Sequence, residues 1–167
     1  MAAVSAVVAR PVAVGAVVLA GLSVLFAPAC TTVDPGPDFV IPDQTFDADY
    51  FYCHVEPQFL FAKHCGDGDT SQGDPSGGCH FNASAVSGMA LVEHAPVDCG
   101  GGDHPVDRTQ VGQGSPPQSN LSAASIVMSK DYLTAPIVVR PSGQNHPRKI
   151  FDTSDPVVQI IATWASK

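Results

Sequence analysis

The sequence predicts a mostly α-helical domain with long loops, in which the first and last helices pack together. Three observations carry this reading. Phe51, Val55 and Phe59 recur at four-residue steps, the spacing of one helical face. Val157, Ile160, Ile161 and Trp164 form a second stripe behind Asp155 and Pro156. Gly and Pro contribute 15 residues each to a chain of 167, so most of what lies between the two stripes reads as loop.

The first segment concerns export. A single charge, Arg10, precedes the apolar run Val12 to Phe26, and Ala27-Pro28-Ala29 puts small residues before Cys30. The run is short for a bilayer span, and Pro11 and Gly15 break helix near its start. This ending resembles a bacterial lipoprotein signal, which implies removal of residues 1–29 and lipidation of Cys30. Ordinary secretion with cleavage after Ala29 is the alternative, and it leaves Cys30 as a free thiol. Both routes export the chain. Thr31 stands where an Asp retains many lipoproteins in the inner membrane, so the outer membrane is favoured. Residues 30–46 then form a Pro-rich tether, and residues 47–167 the folded domain.

Charge narrows the partners. The chain carries 8 basic and 16 acidic residues, a net charge of -8 that becomes -9 once Arg10 is removed. Nucleic acid is therefore not an expected partner. The expected contacts are a membrane, through the lipid anchor, and redox proteins of unknown identity.

Within the domain, Asp47 or Asp49 caps a helix that runs toward Cys65, with Pro57 kinking it or starting its second part. Asp98 to Asn120 is too poor in apolar residues to form an element and reads as a surface excursion. Leu121, Ala124, Ser125 and Met128 suggest a short middle helix. Ile137 to Arg140, bounded by Pro136 and Pro141, reads as an extended segment. The terminal helix starts at Pro156, capped by Asp155. So much loop leaves a thin core unless disulfides or a buried cofactor supplement it.

Apart from Cys30, four cysteines remain: Cys53, Cys65, Cys79 and Cys99. In an exported chain an even count is a disulfide framework with three possible connectivities, a reading that gives His80 no task. The other reading takes Cys79-His80 as the end of a haem attachment site, where thiols add to the vinyl groups and the adjacent His supplies an axial nitrogen to iron. The usual site has two residues between its cysteines; here thirteen intervene between Cys65 and Cys79, and they must loop out. Their Gly, Asp, Ser and Pro content suits a loop. A single attachment through Cys79 is a third reading, with Ser76 standing at the first-cysteine position and Cys65 left for a disulfide. Zinc lacks a paired C-x-x-C or spaced His pair, and Asp67, Asp69 and Ser71 lack the Gly and Glu of a calcium loop.

The wider sequence adds a resemblance. Val55-Glu56-Pro57 and the apolar residues leading to Cys65 resemble the helix before the haem site of small bacterial cytochrome c domains, and Cys79-His80-Phe81 resembles the end of that site. Ser87-Gly88-Met89-Ala90-Leu91 is similar to the following Gly-Leu segment. Asn145-His146-Pro147 resembles a turn before the last helix, and Ile160 to Trp164 resembles that helix. The resemblance spans about residues 48 to 167, and the gap between the cysteines is its main departure.

The resemblance implies cytochrome c-like helices around a covalent haem c. Cys65 and Cys79 would bind the cofactor, His80 would ligate iron, and Met128 would complete the coordination, with His146 as an alternative. With two thioethers, Cys53 and Cys99 remain and can close each other. His54, His64, His94 and His104 read as solvated or locally hydrogen-bonded. The implied function is electron transfer at the bacterial cell envelope. Its rival is a haem-free, disulfide-stabilised lipoprotein that acts as a binding or structural module. No nucleophile elbow, phosphate loop or zinc-protease motif is present. Enzymatic activity stays open, with a non-catalytic carrier preferred.

Overall fold

Asp47 starts the fold. Its side chain accepts from the backbone N–H of Tyr50 at 3.0 Å and caps helix α1, Ala48–Tyr50. This computed structural model describes residues 44–74, 78–84, 86, 88–143 and 145–167. The export segment, Cys30 and most of the tether lie outside the described residues. So does Ser76.

α1 runs without a break into a π-helix, Phe51–Phe61, which contains Pro57. Proline removes a donor and crowds the preceding turn. The wider winding persists to the end of the element, where Ala62 donates to Pro57 and Cys65 to Leu60, each five residues back. The expected kink is therefore a change of winding. Phe51, Val55 and Phe59 are all fully buried.

Beyond the π-helix, 3₁₀ turns form at Thr70–Gln72 and Arg108–Val111. Helix α2 spans Pro116–Ile126, α3 Pro136–Val139 and α4 Pro156–Ser166. No strand occurs among the described residues. The fold is mostly α with long loops, and Pro42–Lys167 form one compact unit. Among the described residues no helix is long and apolar enough to cross a membrane.

Two expectations are corrected. The 98–120 stretch is not all loop, because Ser115 caps α2 and Pro116 and Pro117 occupy its first turn, where a missing N–H costs nothing. Ile137 to Arg140 is not extended. Pro136 sets the first turn of α3, the N–H of Ile137 donates to Val127, and burial of Ile137 and Val138 outweighs their β-branched preference.

The first and last helices pack together. Asp155 caps α4 through the N–H of Val157, and Val157, Ile161 and Trp164 are buried. The Trp164 ring lies 5.2 Å from that of Phe51 between centroids, and its indole N–H donates to the Asp47 carbonyl at 3.0 Å. Phe59 meets Phe151 edge to face at 5.7 Å, which ties the approach to α4 onto the π-helix.

Cys53 and Cys99 form a disulfide with Cα atoms 5.8 Å apart, fastening the 98–120 stretch to the π-helix. Cys65 and Cys79 are free thiols.

Candidate functional site

The π-helix delivers Cys65 into the interior, where it is 7% exposed. His64 just before it adopts φ +54° and turns the chain out of the helix. The segment at Cys79 then returns to the same place. Cys79 N–H donates to Gly66 O at 2.8 Å, His80 N–H to Cys65 O at 3.0 Å, and Phe81 N–H to Gly66 O at 3.1 Å. With residues 67–77 set aside, the chain reads Cys65-Gly66-Gly78-Cys79-His80. In that shortened count the last two bonds join residues four apart, as in a turn of α-helix. The insert departs after Gly68 N–H has bonded the His64 carbonyl at 3.0 Å, and the chain returns to Cys65 and Gly66 through the two bonds of helical spacing.

The glycines make this closure possible. A Cβ on Gly66 would fall 2.3 Å from the Phe81 ring, and Gly78, at φ +90°, would put one 3.1 Å from the Gly66 carbonyl. The insert is itself fastened. Asp74 accepts from Asp69 N at 2.7 Å and takes both ends of the Arg148 guanidinium, Nε and Nη2, at 2.8 Å each. Those bonds hold the Asp74 carboxyl down at about 2.

A cavity of about 420 Å³ opens beside this turn. Cys65, Cys79 and His80 line one part of it, Phe59 and Ile137 add apolar wall, and His146 faces the same space. His80 donates through Nδ1 to the Met89 carbonyl at 2.5 Å, and His146 through Nδ1 to the Arg148 carbonyl at 2.7 Å. Neither Nε2 has a hydrogen-bond partner among the described residues. The two imidazoles lie 6.2 Å apart between centroids, with planes 16° from parallel. Burial lowers the pKa of His80, which keeps its lone pair free at neutral pH.

Burial pushes the Cys65 thiol up to about 12, and burial followed by the Asp74 charge raises that of Cys79. Thiols of a redox-active pair are shifted the other way. Burial of this kind marks an inert thiol rather than an exchange-active one.

Met128 does not reach this cavity. α2 ends at Ile126, the Met128 N–H turns back to Ser125 O at 3.3 Å, and its side chain is 4% exposed within the core. His54, His64 and His104 pair with Asp103, Asp67 and Asp49.

His94 is locally bonded through Nδ1 to the Ala95 carbonyl at 2.7 Å, and its Nε2 also makes a long-range contact. It meets the fully buried Glu56 at 3.0 Å, and Asn120 donates to the same Glu56 oxygen at 2.9 Å. Glu56 Oε2 has no partner, and burial raises the carboxyl's pKa. Nothing local in the sequence announces this cluster, because its members come from three separate segments.

Among the described residues no three His, Cys, Asp or Glu side chains gather as a metal site. Two imidazoles are too few for an isolated ion but enough for iron whose remaining four nitrogens come from a porphyrin. The cavity size falls within the range of cofactor pockets. The donor set, the thiol pair and the cavity thus fit a covalent haem. No protein-family model, curated protein or solved structure matches the chain.

Proposed function

We propose that this chain is a haem c-binding electron-transfer lipoprotein of the bacterial cell envelope, built on cytochrome c-like helices and anchored through Cys30. One observation carries the reading: three backbone hydrogen bonds draw Cys79, His80 and Phe81 onto Cys65 and Gly66, two of them with the four-residue spacing of a helical turn once residues 67–77 are set aside. A stretched attachment motif needs this closure, and a chance Cys-His pair does not.

Bound haem would supply a one-electron change at its iron. The chain's own residues do the rest. Cys65 and Cys79 hold the cofactor by thioethers, and His80, its Nδ1 fixed on the Met89 carbonyl, offers Nε2 to the metal. Phe59, Val127 and Ile137 keep water from that side of the cavity. Arg140 lines the same cavity without an ion pair to another described residue, so its charge is free for the cofactor's carboxylates. The rival disulfide module needs a Cys65–Cys79 bridge, and both thiols are free in the structure.

The test is expression of the full chain in a host competent for cytochrome maturation. A red protein whose haem stays with the polypeptide on denaturation supports the reading. A colourless, folded protein overturns it.

A further inference from the structure

Three histidines line the cavity, and two of them, His80 and His146, are prepared in the same way; His64 is half exposed and its Nδ1 meets the Asp67 carboxylate. His80 lies on the attachment turn and His146 on the loop between α3 and α4. Each gives its Nδ1 proton to a backbone carbonyl, Met89 for one and Arg148 for the other, which fixes the tautomer and leaves Nε2 as the basic nitrogen. Backbone constraints flank His146 on both sides. Asn145 adopts φ +60°, a left-handed conformation that Asn tolerates, and Pro147 restricts the His146 backbone to extended values. One residue beyond Pro147, Arg148 is clamped by Asp74 of the insert. The loop carrying one histidine is therefore tied to the insert that leads into the other.

The ring centroids are 6.2 Å apart. Two metal–imidazole bonds of about 2.0–2.1 Å, the values for zinc, account for about 4 Å of such a span, and the two half-rings for the remainder. Ligation of one metal by both rings requires each Nε2 lone pair, which lies in its ring plane, to point into the space between them, as it does when near-parallel rings lie edge to edge.

We propose that His80 and His146 together are the two axial ligands of the haem iron, so that the site is bis-imidazole and Met128 is a core residue. This rests on the haem reading above and deepens it. Two protein ligands leave no open coordination position, which favours outer-sphere electron transfer over ligand binding or peroxide chemistry. A second imidazole in place of a thioether also lowers the reduction potential.

The full chain, matured with haem, is compared with His146→Ala, His146→Met and Met128→Leu by electron paramagnetic resonance and electronic absorption. The wild type is expected to be low-spin in the ferric state without the thioether charge-transfer band, and not to bind carbon monoxide when reduced. His146→Ala should turn high-spin, bind carbon monoxide and return to low-spin on addition of imidazole. His146→Met should gain the thioether band, and Met128→Leu should match the wild type. A thioether band in the wild type that Met128→Leu abolishes overturns the proposal, as does a low-spin His146→Ala spectrum without added ligand. Should the His146 variants fail to accumulate, the wild-type spectrum decides, since a thioether band or high-spin iron there overturns it. Such results leave haem binding standing, whereas a colourless wild type removes both.

Discussion

The backbone N–H of His80 donates to the carbonyl of Cys65 at 3.0 Å, closing the chain onto Cys65 across the whole of the 67–77 insert. Everything proposed for the site depends on that closure. It makes the insert an appendage of the proposed attachment segment rather than a gap in it.

Removing residues 67–77 should leave a contiguous Cys65-Gly66-Gly78-Cys79-His80 and preserve haem attachment. The deletion also removes Asp74 and its bidentate bond to Arg148, so stability should fall by about 1–3 kcal/mol. Haem content per polypeptide and a denaturant titration check the two parts separately.

Gly66→Ala tests the turn from within. The added carbon would fall 2.3 Å from the Phe81 ring, which packs against Phe61 with centroids 6.5 Å apart. The ring must move, at about 1–3 kcal/mol. Haem incorporation should drop in this variant more than in Gly73→Ala, where nothing lies within 4 Å of the new carbon although φ is +87°.

Asp74→Asn should destabilise the insert in a pH-dependent way. The carboxyl is held at about 2, below its usual 3.8, first by hydrogen bonds from Arg148. A lowered folded-state pKa gives stability that is present above the unfolded value and lost as pH falls through the folded one. The difference between wild type and Asp74→Asn should therefore be full at neutral pH and shrink between about pH 4 and pH 2. Unfolding titrations across that range measure it.

How much of this was legible in the sequence depended on whether the determinant was local. The Asp47 and Asp155 caps, the Phe51-Val55-Phe59 face and the Trp164 stripe are short-range patterns, and each appears in the structure. Ile137 and Val138 misled because β-branched residues between prolines look extended, while Pro136 was starting a helix. The Gly66–Gly78 approach could not be read locally, since it depends on how the chain returns after the insert. Glu56, His94 and Asn120 meet for the same long-range reason. Met128 is expected from chain order in a resemblance and does not line the cavity, whereas Asn145 at φ +60° and the Arg148 clamp belong to this chain's own loop.

Replacing Cys53 and Cys99 with Ser should cost about 2–5 kcal/mol by freeing a long loop in the unfolded state. The haem spectrum should not change, because neither cysteine lines the cavity. Thermal unfolding with and without reductant, followed by the absorption spectrum of the native protein, checks both statements.

The most direct measurement is the pyridine haemochrome spectrum of the matured wild-type chain, whose band position reports how many vinyl groups are saturated. The account predicts the band of two thioethers, made by Cys65 and Cys79 across the looped-out insert. A single-thioether band, or none, would contradict it.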